Sequence, residues 1–133
     1  MDDTYRENIL DHYRHPRNYG SIENPDIAQE EDNPLCGDRI QMNIRLNDGV
    51  VKDVRFKGEG CAISLASASI LTEMIHGKSL EELKALGKDE ILKALGITLS
   101  PTRLKCGLLS LKVFQAGAYD LEGWPGEEDE EDW

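Results

Sequence analysis

A stretch of alternating apolar and polar residues in the first half of the chain constrains the fold most. Apolar residues occupy every second position from Ile40 to Leu46, with polar or charged residues between them. This period of two predicts a β-strand with one buried face. Asn47-Asp48-Gly49 then predicts a hairpin turn, and residues 50–57 predict the returning strand. Two strands joined this tightly must be antiparallel.

Helical patterns dominate the chain outside this hairpin. A first helix is predicted from Asp3 or Thr4 to Pro16, and a short strand at 27–31. After the hairpin, apolar and small residues at helical spacing predict a closely packed helix over 62–76. Further helices are predicted over 79–87, 89–95 and 101–118. Strands followed by helices predict an α+β fold, in which helices cover one face of a small antiparallel sheet.

The length and the charge distribution predict one domain followed by an acidic tail. The chain has 133 residues and a formal net charge of −11. Eight acidic residues and no basic ones lie in 120–133. We therefore expect a folded domain over 1–119 and a solvated, disordered tail over 120–133, with a docking arm for a basic partner as the alternative.

Composition also excludes several classes of protein. The acidic chain has no basic stripe of the kind that binds nucleic acid. It has neither a long apolar run nor an apolar segment near its charged start, so we expect no membrane association and no secretory signal. A cytoplasmic location is the resulting expectation.

The three cysteines suggest a site rather than a disulfide framework. Cys36, Cys61 and Cys106 are an odd number and form no Cys-x-x-Cys pair. Cys36 precedes the first hairpin strand and Cys61 follows the second, so antiparallel pairing brings both to the same end of the hairpin. Gly37 permits unusual backbone angles, so Asp38 can turn toward the same point.

Cys106 lies early in the last predicted helix and leaves two interpretations open. It completes the group, or it is a small buried hydrophobic residue. Three thiolates and one carboxylate would suit tetrahedral zinc or an iron–sulfur cluster. The carboxylate would be the harder and more exchangeable ligand, which suits a site that must release what it holds.

Two histidines of the first helix are a further candidate pair. His12 and His15 are three residues apart and could face a metal together. The preferred interpretation is that both are surface or partner-facing side chains.

Three stretches of the chain resemble the iron–sulfur cluster assembly family of IscU, SufU and NifU N-terminal domains. They are Asn33–Asp38 (NPLCGD), Gly58–Ser69 (GEGCAISLASAS) and Pro101–Cys106 (PTRLKC). Asp11–Asn18 (DHYRHPRN) is also similar to the family. The resemblance runs from about residue 4 to residue 118, with the stretches in the family's order.

The resemblance implies a three-stranded antiparallel sheet and a function in cluster assembly. Sulfur would arrive as persulfide from a cysteine desulfurase, and the cluster, 2Fe-2S by expectation, would pass to recipient apoproteins. Zinc commonly occupies the same site in the family. The implied ligands are Cys36, Asp38, Cys61 and Cys106, and each of the three cysteines is a candidate persulfide acceptor.

The chain departs from IscU-type scaffolds at two points. Lys105 stands where they carry a histidine, and residues 99–103 replace the segment they offer to a chaperone. The second departure argues against chaperone-assisted transfer. Both features resemble SufU-type proteins, but only 44 residues separate Cys61 from Cys106, fewer than is usual in that branch.

Three functions are consistent with these features. The first is a scaffold, not an enzyme, that builds and transfers a cluster. The second is a SufU-type sulfurtransferase that uses zinc to organise its cysteines and accepts persulfide. The third is a small zinc-stabilised interaction module without sulfur chemistry.

Overall fold

The predicted hairpin forms two strands of a three-stranded sheet. The structure, a computed structural model, describes residues 3–33, 37–96 and 99–122. Its elements are α1 (Asp3–Arg14), β1 (Ile27–Asn33), β2 (Asp38–Asn47), β3 (Val50–Glu59), α2 (Ala62–Ile75), α3 (Leu80–Leu83), α4 (Lys88–Leu95) and α5 (Pro101–Glu122).

The sheet has the strand order β1-β2-β3 and is antiparallel throughout. Met42 pairs with Phe56 and Ile44 pairs with Val54 across β2 and β3, so the alternating apolar residues share one face. All four of these side chains are buried. The alternation therefore marks the core side of the sheet, as the sequence predicts.

Helices cover that apolar face. α5 packs on β1 and β2, α2 packs on β3 and α5, and α1 packs on α2. Leu71 of α2 and Leu111 and Phe114 of α5 are buried against the sheet in the same core. The small residues of α2 include Ser64, and Ala66 to Ser69, which are all buried. The predicted α+β fold, with close helix packing at this run, is confirmed.

The helix-end signals are confirmed in part. Ser79 caps α3 by accepting a hydrogen bond from the Glu82 amide, and Gly96 ends α4 in the left-handed conformation. α3 is shorter than predicted, because hydrogen bonds between residues three apart replace the α-helical ones after Leu83.

α5 is longer than predicted and continues to Glu122 instead of ending near residue 118. Gly117 lies inside the helix, where it allows close packing on β1: a Cβ atom there would lie 2.5 Å from Cγ2 of Ile27. Residues 123–133 lie outside the described residues, so the division into a domain over 1–119 and a disordered tail over 120–133 stays a prediction.

His12 is not a surface side chain, and the prediction for this residue is wrong. It is 5% exposed, and its Nδ1 lies 2.7 Å from Oγ of Ser69 on α2. The Arg17 amide donates to the same Ser69 oxygen, so the Ser69 hydroxyl proton is available to Nδ1 of neutral His12. His15 is exposed, as predicted. Packing of α1 on α2 buries the one histidine and leaves the other outside.

Burial lowers the pKa of His12, and the nearby Arg17 guanidinium adds to this effect. The carboxylates of Glu73 and Asp11 oppose it, with Oε1 of Glu73 at 3.6 Å from Nε2. His12 therefore fastens α1 to α2 in its neutral form.

None of the helices in the described part of the chain is both long enough and apolar enough to span a membrane. A cytoplasmic location stays a prediction.

Candidate metal centre

One end of the sheet brings together residues from three elements. Asp38 is the first residue of β2, Cys61 is the N-cap residue of α2, and Cys106 lies near the start of α5. A carboxylate oxygen of Asp38 and the sulfurs of Cys61 and Cys106 all lie within 4.8 Å of one another. Three of the four predicted site residues therefore converge on one point.

Backbone geometry explains why Asp38 and Cys61 meet. Arg39 pairs with Glu59 at the ends of β2 and β3, which places the residues just before Arg39 and just after Glu59 side by side. The Cys61 amide donates a 2.9 Å hydrogen bond to Oδ1 of Asp38. Asp38 is 1% exposed. Its carboxylate thus lies inside the protein at the N-terminus of α2, where the Cys61 amide points toward it.

Gly60 leaves the space that the carboxylate fills. Its φ is +152°, and a Cβ atom there would lie within 2.2 Å of Oδ1 of Asp38. Gly37 on the other side of Asp38 has a φ of +71°, in the left-handed region that the sequence analysis anticipates at this position. Glycines just before β2 and just after β3 therefore allow the chain to bring Asp38 and Cys61 together.

The two cysteines of this group differ in their environment. Cys61 carries a free thiol and is half-buried, with its sulfur 3.8 Å from Oδ2 of Asp38. Cys106 is 1% exposed and its sulfur is in a disulfide, so it can serve as a metal ligand only when it is reduced. Cys106 is thus buried, and its sulfur also faces the site.

Ser64 is a component of the site that the sequence analysis did not identify. Its hydroxyl lies 2.5 Å from Oδ2 of Asp38 and 3.0 Å from the carbonyl oxygen of Cys106. The Cys61 sulfur lies 3.7 Å from the same hydroxyl. The available signal was the three-residue spacing from Cys61 to Ser64, which places both on one face of a helix.

Cys36 lies outside the described residues, so its predicted place in the site stays a prediction. Its described neighbours Asn33 and Asp38 pair with each other across β1 and β2, at the same end of the sheet as Cys61. The Gly37 amide also donates to the Asn33 carbonyl over 2.9 Å. The connection that contains Cys36 therefore begins and ends beside the candidate site.

The donor set suits a thiophilic metal. Cysteine sulfur and carboxylate oxygen are both zinc ligands, and cysteine sulfur also holds iron–sulfur clusters. Asp38, Cys61 and Cys106 have the chemistry and the proximity that such a centre needs, and each lies at or near the start of a strand or helix.

Comparison with known proteins places this chain in one family. The model of the NifU-like N terminal domain matches residues 4–127. The chain is 39% identical to the zinc-dependent sulfurtransferase SufU of Bacillus subtilis, covering 92% of this chain and 95% of that protein. It is 38% identical to the iron-sulfur cluster assembly scaffold protein IscU of Escherichia coli K12, covering 89% and 94% respectively.

The three-dimensional fold leads to the same group. The crystal structure of a SUF-system protein, FiSufU from Fervidobacterium islandicum AW-1, superposes with a TM-score of 0.74 and 29% identity. The superposed region covers 84% of this chain and 93% of the FiSufU chain. Since the family model spans nearly the whole chain, this protein belongs to the family of NifU-like N-terminal domains, which confirms the resemblance seen in the sequence.

Proposed function

We propose that this protein is an iron–sulfur cluster assembly scaffold, which receives sulfur from a cysteine desulfurase and transfers the finished cluster to recipient apoproteins. The observation that carries the proposal is the convergence of Asp38, Cys61 and Cys106 within 4.8 Å. Membership of the family supports it, because the relatives include a protein named as an assembly scaffold.

Cys36, Asp38, Cys61 and Cys106 are the proposed ligands of the centre. Cysteine thiolates would hold iron and sulfide as a 2Fe-2S cluster, the cargo of the scaffold. Zinc, when bound at the same ligands, would keep the thiolates deprotonated and grouped together. Asp38 contributes the single oxygen ligand, which binds a sulfur-loving metal less firmly than thiolate does.

Sulfur delivery requires a thiolate of this chain to attack the persulfide of the desulfurase. A new S–S bond forms to the terminal sulfur, the original S–S bond breaks, and the desulfurase cysteine leaves as thiolate. Cys36, Cys61 and Cys106 are all candidate acceptors. Cys61 is a half-buried free thiol, so part of its surface is open to an incoming partner.

A zinc-dependent sulfur acceptor is the second candidate function. Two observations favour it: the 39% identity to a protein named as a zinc-dependent sulfurtransferase, and Lys105 at the position where IscU-type scaffolds carry a histidine. In this case zinc would be a resident cofactor, and a cysteine released from it would take the persulfide.

Anaerobic reconstitution tests the two candidates against each other. The purified, reduced protein is incubated with ferrous iron, cysteine and a cysteine desulfurase, re-isolated, and analysed for visible absorbance, iron and sulfide. Charge-transfer bands with matching iron and sulfide are expected for the wild type, and their loss is expected for Cys61→Ser.

Retention of zinc without cluster formation, together with faster desulfurase turnover, would instead assign the sulfur-acceptor function. Cys61→Ser should then abolish the acceleration of the desulfurase or weaken zinc binding.

A further inference from the structure

Ser64 connects all three described residues of the metal centre. Its hydroxyl contacts the Asp38 carboxylate at 2.5 Å and the Cys106 carbonyl at 3.0 Å. The Cys61 sulfur lies 3.7 Å away. Ser64 itself is fully buried. A polar side chain at such a position is costly to bury unless it forms hydrogen bonds, so its partners indicate its role.

The Asp38 carboxylate is held at both of its oxygens. The Cys61 amide binds Oδ1, and the Ser64 hydroxyl binds Oδ2, the oxygen that lies 3.8 Å from the Cys61 sulfur. A carboxylate held at one oxygen can still rotate about its Cβ–Cγ bond, whereas a second hydrogen bond fixes its plane. Hydrogen bonds of this kind orient the groups that bind metals.

A link between α2 and α5 does not by itself explain why Ser64 is buried here, because Ser67 makes the same kind of link one helical turn later. The Ser67 hydroxyl is also fully buried and donates to the Gly107 carbonyl over 2.5 Å. Its other contact is the Ser110 hydroxyl at 3.3 Å. Ser64 and Ser67 therefore share the link between helices, and Ser64 in addition bonds to the Asp38 carboxylate.

We propose that Ser64 is a positioning residue of the metal centre, which orients the Asp38 carboxylate toward the sulfurs of Cys61 and Cys106. This inference rests on the proposed metal centre and assigns the residue that prepares its oxygen ligand. The hydroxyl is neutral, so it fixes the carboxylate without neutralising the charge that a cation requires.

The same hydroxyl can remain satisfied when a metal binds. It has one proton and two acceptors within reach, Oδ2 of Asp38 and the carbonyl oxygen of Cys106. Oδ2 of Asp38 can bind a metal through one lone pair while it keeps the hydrogen bond from the Ser64 hydroxyl on the other. Neither the metal-free nor the metal-bound state then leaves a buried donor without a partner, which would otherwise oppose metal binding.

Zinc affinity of the full-length, reduced protein tests the proposal. Zinc is titrated against a chromophoric chelator with the wild type, Ser64→Ala and the matched control Ser67→Ala. We expect Ser64→Ala to weaken zinc binding by about 10- to 100-fold, the usual effect of losing such an orienting bond. Ser67→Ala should bind zinc as the wild type does, because it removes one link between the helices and leaves the Ser64–Asp38 bond in place.

A double-mutant cycle separates positioning from a general loss of structure. In an Asp38→Ala background, Ser64→Ala should produce no further loss of zinc affinity, because the group it orients is gone. The absorption bands of the cobalt-substituted protein should shift in Ser64→Ala in the direction seen for Asp38→Ala. Additive losses of affinity would overturn the proposal.

Ser64→Thr is the second variant, because it keeps the hydroxyl while adding a methyl group at a buried position. It is expected to lose stability and to retain more of the wild-type zinc affinity than Ser64→Ala. A folded threonine variant that binds zinc as weakly as the alanine variant would overturn the proposal, as would wild-type affinity in Ser64→Ala. A wild type that binds no zinc, cobalt or iron would overturn the metal centre itself.

Discussion

The backbone amide of Cys61 donates a hydrogen bond to Oδ1 of Asp38, although 23 positions separate the two residues along the chain. Two structural facts make the bond possible. β2 begins where β3 ends, as the Arg39–Glu59 pair shows. Gly60 has no side chain to occupy the place of the carboxylate. The position of Asp38 therefore depends on the glycine next to the cysteine.

Replacing Gly60 with alanine should damage the metal centre. Its Cβ would lie 2.2 Å from Oδ1 of Asp38, so the carboxylate must move. Zinc affinity of the reduced protein should fall by at least about tenfold, measured by competition with a chelator. Gly77→Ala is the matched control, because φ is +82° and nothing lies within 4 Å of its Cβ.

Both glycine variants should lose about 1–3 kcal/mol of unfolding free energy in urea, because both place a side chain at an unfavourable φ. Only Gly60→Ala should lose zinc affinity. Equal zinc affinities in the two variants would contradict the close approach of Gly60 and Asp38.

Replacing Asp38 with alanine should slow the release of cargo more than it impairs folding. In the proposed site the carboxylate is the one oxygen ligand in a sulfur-rich set, so its loss would remove the most exchangeable ligand. Transfer from the reconstituted protein to an apo-ferredoxin, followed by absorbance or circular dichroism, measures the effect. Unfolding free energy should fall by about 1–3 kcal/mol, because the Cys61 amide and the Ser64 hydroxyl lose an acceptor.

Asp26→Ala is a control of similar chemistry at the other end of the sheet. The Asp26 carboxylate accepts a 2.7 Å hydrogen bond from the Leu46 amide, away from the metal centre. This variant should transfer its cluster at the wild-type rate. Unchanged transfer in Asp38→Ala would exclude the carboxylate as the exchangeable ligand.

Chelation of the metal should leave the fold largely intact. Ile40, Phe56, Leu71 and Phe114 are buried in a core made by the sheet and its helices, and this core does not include Asp38, Cys61 or Cys106. The metal-free reduced protein should still unfold cooperatively in heat or urea, at a lower midpoint, because a ligand of the native state adds stability. Loss of the cooperative transition on chelation would favour the zinc-stabilised interaction module.

Stability should decrease as the pH falls below the ordinary histidine pKa of 6.5, because the pKa of His12 is lower than this in the folded protein. Just below pH 6.5 His12 binds a proton in the unfolded chain but not in the folded protein. The stability that neutral His12 contributes is therefore fully present above pH 6.5. It is lost as the pH falls from 6.5 through the lower folded pKa.

Urea unfolding between about pH 7.5 and 5.5 measures this slope. His12→Gln removes the titrating group and should be less stable at neutral pH, but its stability should change less across the same range. A variant with the same slope as the wild type would exclude His12 as the cause.

The fold could be predicted largely from local patterns. The period of two from Ile40 to Leu46 defines the core side of β2, and Asn47-Asp48-Gly49 defines the turn that makes β3 antiparallel. The extent of α3 and α5 was less predictable. Hydrogen bonding between residues three apart shortens α3 after Leu83, and α5 continues past Gly117, which packs closely on Ile27.

The proximity of Asp38 and Cys61 followed from the sequence, because neighbouring antiparallel strands place the start of one beside the end of the next. The sequence also marked Cys106 as a candidate ligand, although its spacing left burial open. Only the tertiary structure decided that α5 brings Cys106 to the same end of the sheet, and that Ser64 lies between Asp38 and Cys106. It also decided that α2 buries His12. Local patterns encode which residues form a strand or a helix, whereas the contacts of a buried side chain depend on how distant elements pack.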